Sequence, residues 1–300
     1  MKAFLLAVVF CFIVVHLTTA QKQIVVEETD ITFEHGSSPG FLVAIPEVSF
    51  KKVQDSWVKS LEKGTKSKVQ NEADEYSIFG ALMKDISSAP INVYSYVKDN
   101  DTAILLAASF ELKKDFYIST ENDAERSAKT RAYLLAFARE HYLELAKEQL
   151  VNEEKKLTKL ENDLKSLEKN KVKLEKMIQS NNVSVGSIND ELVIQRTNLT
   201  SLNDELLTQT NQINAMEEGS AKDEKQKYIT DLEKQIKKLN KDIESGEKKI
   251  IDMKAETDKA QNDEIPNNIK EQEQIRNDIE QQKEVVNSYK AKYNIINDYK

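Results

Sequence analysis

The stretch Leu143–Ile178, LELAKEQLVNEEKKLTKLENDLKSLEKNKVKLEKMI, decides the fold. Its apolar residues recur at alternating intervals of three and four: Leu143, Ala146, Leu150, Leu157, Leu160, Leu164, Leu167, Leu174 and Ile178. Only Glu153 and Lys171 interrupt the series, and Lys and Glu fill most other positions. That spacing holds a narrow stripe on one side of an α-helix, the pattern of a coiled-coil seam.

The same pattern continues downstream in three further segments. One runs Ile188, Leu192, Gln195, Leu199, Leu202, Leu206, Gln209, Ile213, Met216. Another runs from Ile229 through Leu239, Ile243, Gly246 and Ile250 to Ala260, and a last one from Ile265 through Ile279 to Ile296. Turn formers at 181–187 predict a reversal there, and Pro266 predicts a second near 263–267. Gly219-Ser220 and a one-residue phase slip between Met216 and Ile229 are read as a bend inside one long helix. The first reversal would fold 143–180 back on 188–217. Leu174 would then meet Leu192, Leu167 meet Leu199, Leu164 meet Leu202, and Leu160 meet Leu206. Lys171 would meet Gln195, either as a polar layer that fixes register or as a lysine that snorkels outward.

Upstream the chemistry changes. Pro39, Pro46 and Pro90 lie in this part, and every Phe lies at or before Phe137. Ile31 and Phe33 alternate with polar residues, as do Phe41, Val43 and Ile45, which predicts two strands around a turn at 36–40. Phe50, Val53, Trp57 and Leu61 recur at helical spacing, with Gly64 just past the end. Shorter strands are expected near 67–72 and 76–83, and a hairpin from 91–97 and 102–112. Tyr94 and Tyr96 should then face away from Ile91, Val93 and Val97. A helix capped by Asn122 or Thr120 follows, apolar on most sides from Ala132 to Ala146 and therefore packed on the sheet.

The expected architecture is an α+β head with a mostly antiparallel sheet over 21–122, continuing into a long α-helical antiparallel coiled-coil stalk over 123–300. Residues 1–20 read as a secretory signal. Met1-Lys2 precedes an apolar run to Leu17, and Thr18-Thr19-Ala20 places small residues before a cleavage site at Ala20-Gln21. The run is short for a bilayer span, so the mature chain is expected to be exported, periplasmic or extracellular, without a transmembrane segment.

Composition narrows the function. The 300 residues carry 43 Lys and Arg against 51 Asp and Glu, an acidic balance that argues against nucleic-acid binding. The single cysteine, Cys11, lies in the signal, so no disulfide framework or cysteine metal site is expected. His35 and His141 are unrelated in spacing. No zincin or phosphate-loop motif occurs, so no catalytic, cofactor or metal residues are expected. Asp101-Thr102-Ala103 resembles a site of bacterial O-glycan attachment, with a plain turn as the alternative. Trp57 is read either as core or as an exposed contact residue.

Gly40–Pro46, the Trp57 helix, Asn92–Tyr96 and Phe110–Leu112 together resemble a family of exported Bacteroidota proteins that pair a small α/β domain with a Lys/Glu-rich coiled coil. The resemblance implies an envelope location and no particular activity. The helical part is also similar to periplasmic adaptors and coiled-coil envelope chaperones. It lacks the lipoyl-like halves of the former and the basic charge usual in the latter. The sequence therefore reads as a non-enzymatic structural or adaptor protein acting through its coiled coil on envelope protein partners. An internally paired hairpin needs no second copy, whereas an unpaired third segment would favour self-association. The alternative is a peptide- or glycan-binding head with Tyr94 and Tyr96 as contact aromatics.

Overall fold

The computed structural model describes residues 23–298, so the signal expected at 1–20 lies outside the described residues. The chain divides into two compact units, Met1–Lys155 with Glu284–Lys300, and Lys156–Lys283. The first contains an antiparallel sheet, and the second is helical.

The sheet unit holds β1 (Val26–Phe33), β2 (Gly36–Pro46), β3 (Gln70–Glu72), β4 (Glu75–Ala81), β5 (Ile91–Asp99), β6 (Ala103–Lys113) and β7 (Phe116–Tyr117). The strand order is β1-β2-β6-β5-β4-β3, with β7 paired to β6. All pairs are antiparallel. The β1–β2 turn is Glu34-His35 rather than 36–40, because Gly36–Gly40 already pairs with β1.

Alternation sends Phe41, Val43, Ile45, Val93, Val97, Leu106 and Phe110 to one buried face. Helix α1 (Phe50–Glu62) covers that face with Val53, Trp57 and Leu61. Trp57 is core. Its Nε1–H donates to Ser95 Oγ at 2.9 Å, and its ring meets Phe137 edge-on at 5.3 Å. Each such apolar side chain taken out of water contributes about 1.5–3 kcal/mol.

Helix α2 (Ala124–Asn214) adds Leu134, Phe137, Ala138, Tyr142 and Ala146 to the same core. Its N-cap is Asp123, whose Oδ1 accepts the Arg126 N–H at 3.0 Å, not Asn122 or Thr120. Thr120 instead binds Glu28, donating through its N–H and Oγ1 at 2.7 and 2.6 Å. Burial pushes the Glu28 carboxyl up, but bonds from Thr120, Ser127 and Arg131 outweigh it and hold it below its ordinary value.

The unit is completed from far along the chain. Helix α4 (Ile265–Asn297) places Ile296 in the core at 0% exposure, with Tyr293 packed against it. Arg139 donates to the Ile296 carbonyl at 3.2 Å and to that of Asn297. Lys292 pairs with Glu47 at 2.6 Å.

In the helical unit the expected reversals are corrected. α2 runs unbroken through 181–187. Val185 and Ile188 pack with Leu192, Ile243 and Ile250, and Asn181 donates to Glu256 Oε2 at 3.0 Å. These tertiary contacts override the turn propensity of the segment. The second expected reversal, 263–267, is a π-helical turn (Ala260–Glu264) that joins helix α3 (Ser220–Lys259) to α4. There the Ile265 N–H donates five residues back, to Ala260 O. A widened turn accommodates Pro266, which has no N–H to give.

The break lies instead at 215–219, where a bend inside one helix was expected. Contacts on either side of it run in opposite directions along the two helices. Arg196 pairs with Glu247 at 2.6 Å, Leu192 lies against Gly246, and Asn268 Nδ2 donates to Leu167 O at 3.1 Å. Leu192 therefore meets the 243–250 stripe and not Leu174. Lys171 pairs with Glu175 at 3.5 Å and Gln195 with Glu191 at 3.0 Å, so the expected Lys171–Gln195 layer does not form. No helix among the described residues is long and apolar enough to cross a membrane.

Candidate binding groove on the open sheet face

The second face of the sheet carries no helix of its unit in its core cluster. Its centre is built from small residues. Ser38, Gly40, Ala107 and Ser109 lie side by side on paired strands. A Cβ on Gly40 would stand 2.4 Å from Ser109 Oγ and 2.7 Å from Ile31 Cγ1, so glycine is what lets Ile31 cross this point. Ile31, Phe33 and Ala107 form a second buried cluster, flanked by Leu42, Tyr94 and Tyr96.

The tip of the β1–β2 hairpin leans across this face. Glu34 N–H donates to the Glu75 carboxylate on β4, at 3.0 and 3.3 Å. β1 and β4 are separated by three strands in the sheet order, so the contact requires the sheet to curl. A groove of about 400 Å³ lies between tip and β4, lined by Phe33, Glu34, His35, Glu75, Phe79 and Tyr94, with Gln70 and Glu72 of β3 along one side.

Tyr94 is the centre of the aromatic set. Its ring lies 4.7 Å from His35, 6.1 Å from Phe79, 6.3 Å from Phe33 and 6.4 Å from Tyr117. His35 also stacks on Phe33, with 9° between ring planes. Such pairs hold rings in fixed mutual orientation. Beneath them, buried Glu111 accepts from Asn92 Nδ2 at 2.8 Å and from the Asp115 N–H at 2.9 Å, with Tyr94 Oη at 3.4 Å. Burial, then the charge of Glu111 and the neighbouring Tyr117, push the Tyr94 phenol up to about 12. Burial, then the charges of Glu111 and Asp115, also raise Tyr117. Tyr94 therefore stays a neutral donor at physiological pH.

The two aromatics singled out in the sequence have different surroundings. Tyr94 lines the groove. Tyr96 meets Phe33 edge-on at 6.1 Å and carries Lys98 Nζ 4.2 Å from its ring centroid, outside the groove lining. Thr102 is exposed in the β5–β6 turn. Tyr76 is buried in the covered core and also borders the groove. The seam residues Leu157, Leu160, Leu164, Leu167, Lys171, Leu174, Ile178, Ile188, Gln195, Leu199, Leu202 and Leu206 are each partly covered, and Leu192 is buried. They do not contribute to the groove. Phe33, His35, Phe79 and Glu75 were not recognised as site residues in the sequence. The odd-numbered alternation of Ile31 and Phe33 was the available signal, but the Glu34–Glu75 contact that closes the groove has no local signature.

Among the described residues no group of three or more His, Cys, Asp or Glu side chains could hold a metal ion. The chain matches no protein-family model and no curated protein at a significant level.

Proposed function

We propose that the chain is a non-enzymatic adaptor of the cell envelope, whose α2 and α3–α4 segments pair as an antiparallel coiled coil and whose outer helical surface takes protein partners. The observation that carries this reading is a stripe of exposed apolar residues. Val172, Val183 and Ile194 recur every eleven residues on α2 and are 47%, 70% and 61% exposed. Eleven residues make about three helical turns, so the three share one side. Ile188 and Leu192, which pack in the α2–α3 cluster, point elsewhere. The pairing of α2 with α3 therefore leaves the stripe unused.

The test is a pull-down from envelope extract with the mature chain and with a Val172→Gln, Val183→Gln, Ile194→Gln variant of unchanged helicity. The expected result is a set of envelope proteins that the variant loses. An identical set from both proteins overturns the reading. Export is part of the proposal, and a mature N-terminus at Gln21 in an extracytoplasmic fraction is its expected sign.

A second reading, a ligand-binding sheet unit, is favoured by the groove around Tyr94. A peptide and glycan array probed with the full chain tests it, and an array without a hit counts against it.

A further inference from the structure

We propose that the groove between the β1–β2 tip and β4 binds a basic peptide, and takes one of its lysine or arginine side chains among the groove's rings and carboxylates. The proposal rests on the ligand-binding reading of the sheet unit. The rings are Phe33, His35, Phe79 and Tyr94, and the carboxylates are Glu34, Glu72 and Glu75.

Three observations select a cation. First, Phe79 is 50% exposed, and its ring and that of Tyr94 stand edge-to-face within the groove lining, so aromatic surface borders the opening. A cation over an aromatic face is attracted by the ring quadrupole, more so as water is excluded. Lys98 over Tyr96 shows the same contact a few residues away, made by the chain itself. Second, no lysine or arginine among the described residues pairs with Glu34, Glu72 or Glu75. Glu75 spends part of its capacity on the Glu34 N–H, and a carboxylate has about four acceptor positions. An anionic ligand would be repelled by these three groups, and an apolar one would cover them without compensation.

Third, Gln70 and Glu72 belong to β3, the edge strand of the sheet. Its outer side presents backbone donors and acceptors to an added extended segment. A peptide laid along β3 reaches the rings with alternate side chains. The ligand is thus a peptide and not a free amine.

The experiment measures fluorescence anisotropy of labelled (Ser-Lys)4, (Ser-norleucine)4 and (Ser-Glu)4 peptides with the full chain. The expected result is saturable binding of the lysine peptide alone. It should weaken about tenfold or more in Phe79→Ala and in a Glu72→Gln, Glu75→Gln variant, and stay unchanged in Thr102→Ala. Trp57 fluorescence verifies that each variant keeps its core. Lysine-peptide binding that Phe79→Ala leaves intact overturns the proposal, as does equal binding of the norleucine peptide. If a norleucine peptide or a glycan occupies the groove instead, the cation assignment falls and the ligand-binding reading stands. If no peptide or glycan binds, both fall.

Discussion

At the scale of single residues, the sheet unit depends on positions where one atom more or one charge more has nowhere to go. Gly40 is one. A methyl group there would also lie 2.8 Å from the Ala108 carbonyl oxygen, a backbone atom that cannot step aside. Gly40→Ala is expected to cost about 1–3 kcal/mol, read as a lower denaturant midpoint with an unchanged slope. His141 is another. Burial lowers its pKa, with Lys52 adding to the shift and Glu140 and Glu144 opposing it, and its Nδ1 has no hydrogen-bond partner. The folded state thus prefers neutral imidazole, while the unfolded chain takes a proton below about 6.5. Stability is lost as pH falls from the unfolded value toward the depressed folded one. Thermal unfolding at pH 7.5 and 5.5 should show a larger drop for the native chain than for His141→Leu. An equal drop in both would assign the acid sensitivity elsewhere.

At the scale of elements, local pattern and tertiary packing compete at 181–187. The segment contains Asn, Ser and Gly, and read alone it is a turn. In the fold it is helix, with Gly186 at ordinary helical dihedrals and nothing within 4 Å of a Cβ placed there. Gly186→Ala is therefore expected to stabilise the helical unit by about 1 kcal/mol, measured by thermal melting of helical circular dichroism. A turn glycine at positive φ would give the opposite sign. The stripes from Leu157 to Ile178 and from Ile188 to Leu206 were legible because a repeat of three and four is local. Their partners were not. Seams of Leu and Ile fit one another in many registers, and only the site of reversal chooses among them. That site, 215–219, carries a weaker turn signal than the segment that stays helical. The groove divides in the same way. Strand alternation was enough to set Tyr94 opposite Val93. The approach of Glu34 to Glu75 arises from sheet curl, which no short stretch of sequence encodes.

At the scale of the whole molecule, the sheet unit is assembled from two stretches of chain separated by the helical unit. Ile296 fills the core from the far stretch, so Ile296→Ala should cost about 2–5 kcal/mol. Trp57 is the only tryptophan and sits in that core, so its fluorescence reports the loss. The expected outcome is a lowered Trp57 transition. An unchanged one would detach the far stretch from the stability of the sheet. This split has a consequence during synthesis. Arg139 and Ile296 are 157 residues apart. At about 5–20 residues per second, a ribosome needs roughly 8–30 s to pass from one to the other. Until Ile296 has been added, the core position it fills has no occupant. A chain that ends before α4 would keep that position unfilled wherever it folds.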